Sequence, residues 1–233
     1  KNEVWIRFFK IFINEKIIKS KKRTVDFGEV FTSREIVQSM INLIDQGKIS
    51  IESRFLEPAC GDGNFLSEIL NIKLSSVKNI YKKNQSDYER YSILAISSIY
   101  GIDILNDNVI ECRNRLLEIF KKKYVSVFAD KTNEKCIYSA KYILENNIIT
   151  GDALSLKTKN KLEKPIVFSE WSFISSSMVK RKDYTLANLI EYRPFESDTL
   201  FSDTGEEVVI PKTIKEYPLV HFLEFHKYER KKL

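Results

Sequence analysis

Three short apolar runs in this sequence carry a carboxylate at their carboxyl ends. The runs are 54–57, 100–104 and 147–150, and the acids are Glu57, Asp103 and Asp152. Runs of this length, rich in β-branched and aromatic residues and bounded by Gly, Pro and Asn, read as buried strands. Apolar residues at helical spacing fill the stretches between them. Strands alternating with helices predict an α/β fold with a mostly parallel sheet. In such a sheet the strand carboxyl ends converge on the crevice where ligands bind. The position of the three acids therefore constrains the ligand as well as the fold.

The pattern along the chain supports this layout. Val4, Phe8, Ile11, Phe12 and Ile18 give an N-terminal amphipathic helix, followed by a basic connector ending at Gly28. Thr32 and Glu35 form a capping box, Phe31 can staple onto Ile36, and Ile36, Val37, Met40, Ile41 and Ile44 form an apolar stripe, with Gly47 as a stop. After the 54–57 strand come Pro58, a turn at 61–63, and a helix from Asn64 to about Ile72. Further helices are expected over 88–98, from the end of the 100–104 strand to about Lys122, and over 133–145. Residues 165–168 form a fourth β run, and 199–210 read as an antiparallel hairpin around Gly205. The expected units are 1–27 as helix and connector, 28–190 as the core, and 191–233 as a hairpin and tail completing it.

Composition excludes several classes. With 43% hydrophobic and 12% aromatic residues in a chain of 233, global disorder is excluded. No apolar run approaches the roughly 18–20 residues needed to span a bilayer, so a soluble cytoplasmic protein without membrane contact is expected. Cys60, Cys112 and Cys136 are odd in number and widely spaced, and His221 and His226 stand far from them, so neither a disulfide framework nor a metal site is expected. The formal charge of +6 is modest. Basic clusters at 16–23, 121–123, 157–164 and 180–182 are compatible with a solvated surface or a phosphate-binding face.

The acids select the ligand by charge. Glu57 just before the 61–63 glycine turn repels a pyrophosphate and suits a cation. Asp103 suits ribose hydroxyls, and Asp152 suits an adenine amino group. A ligand with an ammonium, a sulfonium, a ribose and an adenine is S-adenosylmethionine. Each acid alone could equally be a helix cap; their order along the chain carries the inference.

From Gly28 to Phe168 the sequence resembles the S-adenosylmethionine-dependent DNA methyltransferases that modify exocyclic amino groups, adenine N6 above all. Gly28-Glu29-Val30-Phe31-Thr32 is similar to the motif preceding that family's first helix, where the threonine meets the methionine carboxylate. Phe55-Leu56-Glu57-Pro58-Ala59-Cys60-Gly61-Asp62-Gly63-Asn64-Phe65-Leu66 resembles its cofactor loop. Gly101-Ile102-Asp103-Ile104 resembles its ribose motif, and Gly151-Asp152-Ala153 its adenine motif. The resemblance implies a Rossmann-like methyltransferase fold. It also implies a cofactor site of Phe31, Thr32, Glu57, Pro58, Ala59, Gly61, Gly63, Asn64, Asp103, Ile104, Asp152 and Ala153.

The family's acceptor motif, Asn/Asp/Ser-Pro-Pro-Tyr/Phe after the fourth strand, has only a partial counterpart in Ser169-Glu170-Trp171-Ser172-Phe173, and the chain contains no Pro-Pro. Ser169 matches the first position. Glu170 is a chemically reasonable acceptor for amino protons, and Trp171 can stack on a flipped base or pack in the core. These three are the catalytic candidates. Little chain remains for target recognition, so a specificity subunit is an expected partner beside DNA. The expected activity is methyl transfer to a DNA amino group within a restriction-modification system. The alternative is a catalytically silent, cofactor-binding subunit of a restriction or defence complex.

Overall fold

Short apolar runs alternating with helical periodicity build an α/β protein. A computed structural model describes residues 20, 22–23, 32–45, 49–159, 162–191 and 212–231. The expected N-terminal helix, Phe31, Gly47 and the 199–210 hairpin lie outside these residues.

Strands β1 (Phe55–Glu57), β2 (Ile99–Asp103) and β3 (Ile148–Asp152) pair in parallel in that order, with Leu56 opposite Tyr100 and Ile102 opposite Ile149. A short β4 (Lys157–Thr158) adds antiparallel to β3. Two helices form each crossover: α2 (Asn64–Tyr81) and α3 (Gln85–Ser97) lead to β2, then α4 (Asn106–Phe128) and α5 (Glu134–Asn147) to β3. Ahead of β1 lies α1 (Arg34–Asp45). A second, antiparallel sheet contains β5 (Val167–Phe173), β6 (Met178–Thr185), β7 (Lys215–Glu216) and β8 (Val220–His221), with α6 (Leu186–Glu191) following β6. Parallel pairing is thus confined to three strands among the described residues, less than the mostly parallel sheet expected.

Other differences have local causes. Helix α2 runs to Tyr81 because Leu66, Ile69, Leu70, Lys73, Leu74 and Val77 continue one buried stripe. Ser75, Ser76, Lys78 and Asn79, beyond the expected end near Ile72, supply the helix's outer face. Asn84 then caps α3 through the Ser86 and Asp87 N–H groups. In α1 only Val37 and Ile41 of the expected stripe are seen to be buried, while Ile36 and Met40 are each 47% exposed. The Val37 N–H reaches the Ser33 carbonyl at 3.0 Å, so Ser33 rather than Thr32 holds the cap position and the helix begins at Arg34. The 180–182 basic cluster lies in β6, where alternation buries Arg181 and turns Lys180 and Lys182 toward Glu216.

The two faces of the parallel sheet are covered differently. Ile99 and Ile148 pack with the helices, whereas Tyr100 and Ile102 meet Ile166, Phe168 and Leu186 from the start of β5 and α6. The order of these contacts fixes the direction of β5. Ile166 lies against Gly151 near the carboxyl end of β3, the Ser169 carbonyl accepts from the Tyr100 hydroxyl at 3.1 Å, and the Trp171 Nε1–H reaches Asn147 at 3.1 Å. Strand β5 therefore crosses the sheet from its carboxyl end to its amino end, covering about 16 Å over five residues at the usual rise. Asn147, the last residue of α5, also donates to the Ser97 and Ile99 carbonyls, so one buried amide joins α3, β2, α5 and β5.

Lys73 is fully buried in α2 and donates to the Ile51 and Ser53 carbonyls and the Ser98 hydroxyl. These bonds anchor the segment leading into β1. Burial lowers its ammonium to about 7. Between that value and the ordinary 10.5 the unfolded chain holds a proton that the folded chain has released, so stability should rise with pH across the window. Subtracting the urea-derived stability curve of Lys73→Met from that of the wild type should isolate this rise. A flat difference from pH 7 to 10 would contradict it.

Candidate functional site

Glu57, Asp103 and Asp152 end three adjacent parallel strands, and each acid stands two residues beyond the partner of the one before, so they form a diagonal row about 16 Å long at the usual strand spacing and rise. Each has a different environment. Burial raises the Glu57 carboxyl above its ordinary value, and the Ala59 N–H opposes that rise. Asp152 accepts from the Leu154 N–H at 2.9 Å, and this bond is the main cause holding its carboxyl below the ordinary value.

Asp103 is largely committed to the protein. Its Oδ2 accepts from the Gly61 N–H at 3.0 Å, and its Oδ1 accepts from the Leu105 N–H at 2.8 Å and the Asn108 amide at 3.2 Å. A carboxylate offers about four acceptor directions. Only one remains on Oδ2, where two ribose hydroxyls were to be accommodated.

The glycine turn folds back over β2. The Cys60 N–H donates to the Ile102 carbonyl at 2.8 Å, and the Gly63 N–H to the Cys60 carbonyl at 2.9 Å. Gly61 and Gly63 have φ of 52° and 89°, where other residues are strained. A Cβ on Gly63 would lie 2.6 Å from the Cys112 sulfur, so this glycine admits α4 rather than a ligand. The Cys60 and Cys112 thiols share a hydrogen bond, which together with burial raises Cys60 far above its ordinary range. Both are buried packing residues beneath the turn, and Cys60 offers no thiolate for nucleophilic chemistry.

Pro58 and Ala59 form the exposed crest of the turn, while Ile104 and Ala153 are half-buried just beyond their acids. The Asn64 amide donates to the Thr32 carbonyl at 3.3 Å, bringing the segment before α1 against the start of α2. The structure thus brings together Thr32, Asn64 and the turn, with the three acids in line.

The catalytic candidates lie elsewhere. Ser169 is buried and donates to Asp183 at 2.8 Å. Glu170 pairs with Arg54 at 2.9 Å, at the amino end of β1, and accepts from the Tyr184 hydroxyl at 3.2 Å. Trp171 is 5% exposed and stacks on Phe225 with ring centroids 5.0 Å apart. The base-stacking and acceptor roles expected of these residues require the crevice end of the sheet, but β5 carries them to the opposite end. Trp171 is a core residue, and Glu170 joins the two sheets.

Three residues were missing from the sequence expectation. Asn108 supports Asp103, Arg115 bonds the turn, and Arg23 reaches Asn108 at 3.1 Å. Asn108, Cys112 and Arg115 share one face of α4 at i, i+4 and i+7, a spacing that was visible in the sequence. Among the described residues no group of three or more His, Cys, Asp or Glu is placed to hold a metal, and no helix is long and apolar enough to cross a membrane. No protein-family model matches the chain, and comparisons with curated proteins and with solved structures return no match.

Asp103→Asn should test the pivotal bonds. Its amide must turn a donor toward either the Gly61 or the Leu105 N–H, which should cost about 1–3 kcal/mol in urea unfolding. Glu57→Gln, at the mouth of the site, should cost much less. Equal stabilities for the two variants would contradict the role given to Asp103.

Proposed function

We propose that this chain is an S-adenosylmethionine-binding unit with Rossmann-like methyltransferase topology, serving methyl transfer to an exocyclic amino group of DNA. Adenine N6 is the first candidate. One observation carries the proposal: Glu57, Asp103 and Asp152 form a row whose order matches the ligand's ammonium, ribose and adenine.

The residues fit such a ligand chemically. Glu57 is a half-buried carboxylate raised by desolvation, the state expected of an acid that gains from an incoming ammonium. Asp103 retains an acceptor direction for one ribose hydroxyl and holds the turn with the rest. Asp152 stands at the far end of the row, oriented by the Leu154 N–H. Thr32 lies beside the turn, near the Glu57 end. The cofactor supplies an electrophilic methyl group on sulfur. These side chains bind and orient it, and a DNA amino group must approach in line with the methyl while acceptors hold its protons.

The acceptors are the second point. Ser169, Glu170 and Trp171 pack at the amino end of the sheet, which favours the silent, cofactor-binding alternative over a complete enzyme within the described residues. The amino-proton acceptors would then come from a partner subunit in a restriction or defence complex. Such a DNA-directed complex works in the cytoplasm.

Isothermal calorimetry with S-adenosylmethionine tests the cofactor assignment. Because the Glu57 carboxyl is raised, binding at acid pH must first displace its proton. Affinity should therefore increase as pH rises through the range just above 4.5, with proton release. Glu57→Gln should weaken binding by about 1.5–3 kcal/mol, the range for a hydrogen bond to a charged group, and flatten the pH profile. No binding by the wild type would overturn the proposal. Labelled-methyl transfer to DNA by the chain alone would restore the complete-enzyme alternative.

A further inference from the structure

The turn between β1 and α2 carries a second acid that the ligand argument leaves unused. Asp62 sits between two left-handed glycines and is 8% exposed. A buried carboxylate needs a counter-charge. Arg115, two turns along α4 from Asn108, supplies one through Nη2 at 2.6 Å from Oδ2 of Asp62. Its Nη1 donates to the side-chain oxygen of Asn64, whose amide nitrogen donates to the Thr32 carbonyl at 3.3 Å. One guanidinium thus ties together the turn, the first residue of α2 and the segment ahead of α1. Arg fits this place because its planar fork bonds two acceptors at once, which an ammonium on a flexible stem does less well.

The location gives the contact its consequence. Thr32, Asn64 and Glu57 mark the end of the row where the amino-acid part of the ligand belongs. That part carries a carboxylate as well as an ammonium. Glu57 suits the ammonium, but a second negative charge at Asp62 would oppose the carboxylate. We infer that Arg115 is a positioning residue for the amino-acid end of the ligand: it fixes the Asp62–Asn64 turn and cancels the Asp62 charge, so that an anionic group is tolerated beside Thr32. This rests on the cofactor assignment above and extends it to a residue on α4. The nucleoside end, at Asp103 and Asp152, should be indifferent to it.

Two ligands separate the ends. S-adenosylmethionine carries both, whereas 5′-methylthioadenosine has the ribose, adenine and sulfur but no amino-acid part. Arg115→Met should weaken S-adenosylmethionine binding roughly tenfold to fiftyfold, as for a like charge a few ångströms away at intermediate dielectric. Its effect on 5′-methylthioadenosine should be under about threefold. Adding Asp62→Asn to Arg115→Met removes the Asp62 charge and should recover most of the lost affinity. If Arg115→Met fails to fold, Arg115→Lys keeps the charge but not the fork, and the loss should again fall on S-adenosylmethionine alone. Equal losses for both ligands, or no recovery in the double variant, would reduce Arg115 to a structural contact and overturn the inference. Wild-type binding of both ligands with a silent Arg115→Met would overturn it too, leaving the cofactor assignment intact. Wild-type protein that binds neither ligand would overturn both.

Discussion

The Asp103 carboxylate is the constraint on which the arrangement around the site depends. It ends β2, receives the Gly61 N–H from the turn after β1, and receives the Leu105 N–H and Asn108 amide from the start of α4. The turn after β1, 42 residues away in sequence, and the start of α4 are thereby referred to one pair of oxygens. The donors are fixed and the acceptor is charged, so these bonds are stronger than neutral ones. Asn108 also receives Arg23, extending the same network toward the N-terminal segment. A side chain first read as a ligand contact is thus mainly a structural hub, with a single direction left for a ligand.

A second hub governs the other end of the sheet. Asn147 satisfies its amide with the carbonyls of Ser97 at the end of α3 and Ile99 at the start of β2, and with the Trp171 indole. Around it, Arg181 bonds Asp183, the Tyr142 hydroxyl and Asn146, and Ser169 and Tyr217 also bond Asp183. Apart from the two bonds from Asn147 to Ser97 and Ile99, these links tie the antiparallel sheet and the adjoining Tyr217 to one another or to α5. A buried network of this kind is stable when its members are satisfied, and it leaves little freedom to present Ser169 or Trp171 to a ligand. The separation of the two hubs, one at each end of the parallel strands, is what divides the row of acids from the 169–171 segment.

How much of this the sequence revealed depends on the range of the determining contact. The three strands and their acids were legible because Pro58, Gly101 and Gly151 punctuate them locally. The length of α2 was misjudged because the polar outer face of a helix looks like a loop until the Leu74 and Val77 positions are placed on the stripe. β6 carries no strand signature in sequence because Lys180-Arg181-Lys182 reads as uniform charge, though alternate residues face opposite ways. The direction of β5 had no local signal. It is set by contacts such as Tyr100 with Ser169, 69 residues apart, and a parallel or antiparallel course gives the same sequence pattern. Residues 169–171 lie away from the crevice for that reason, while the turn and the acids depend on residues close in sequence to the elements that hold them.

The central claim is that ligand chemistry belongs to the carboxyl ends of β1–β3 and not to β5. Backbone amide exchange followed by mass spectrometry, with and without S-adenosylhomocysteine, addresses it directly. Slower exchange is expected at 57–64, 101–108 and 150–154, where the acids and the turn meet the ligand, with no change across β5 and β6. Protection centred on 169–173, or none at 57–64, would contradict the account.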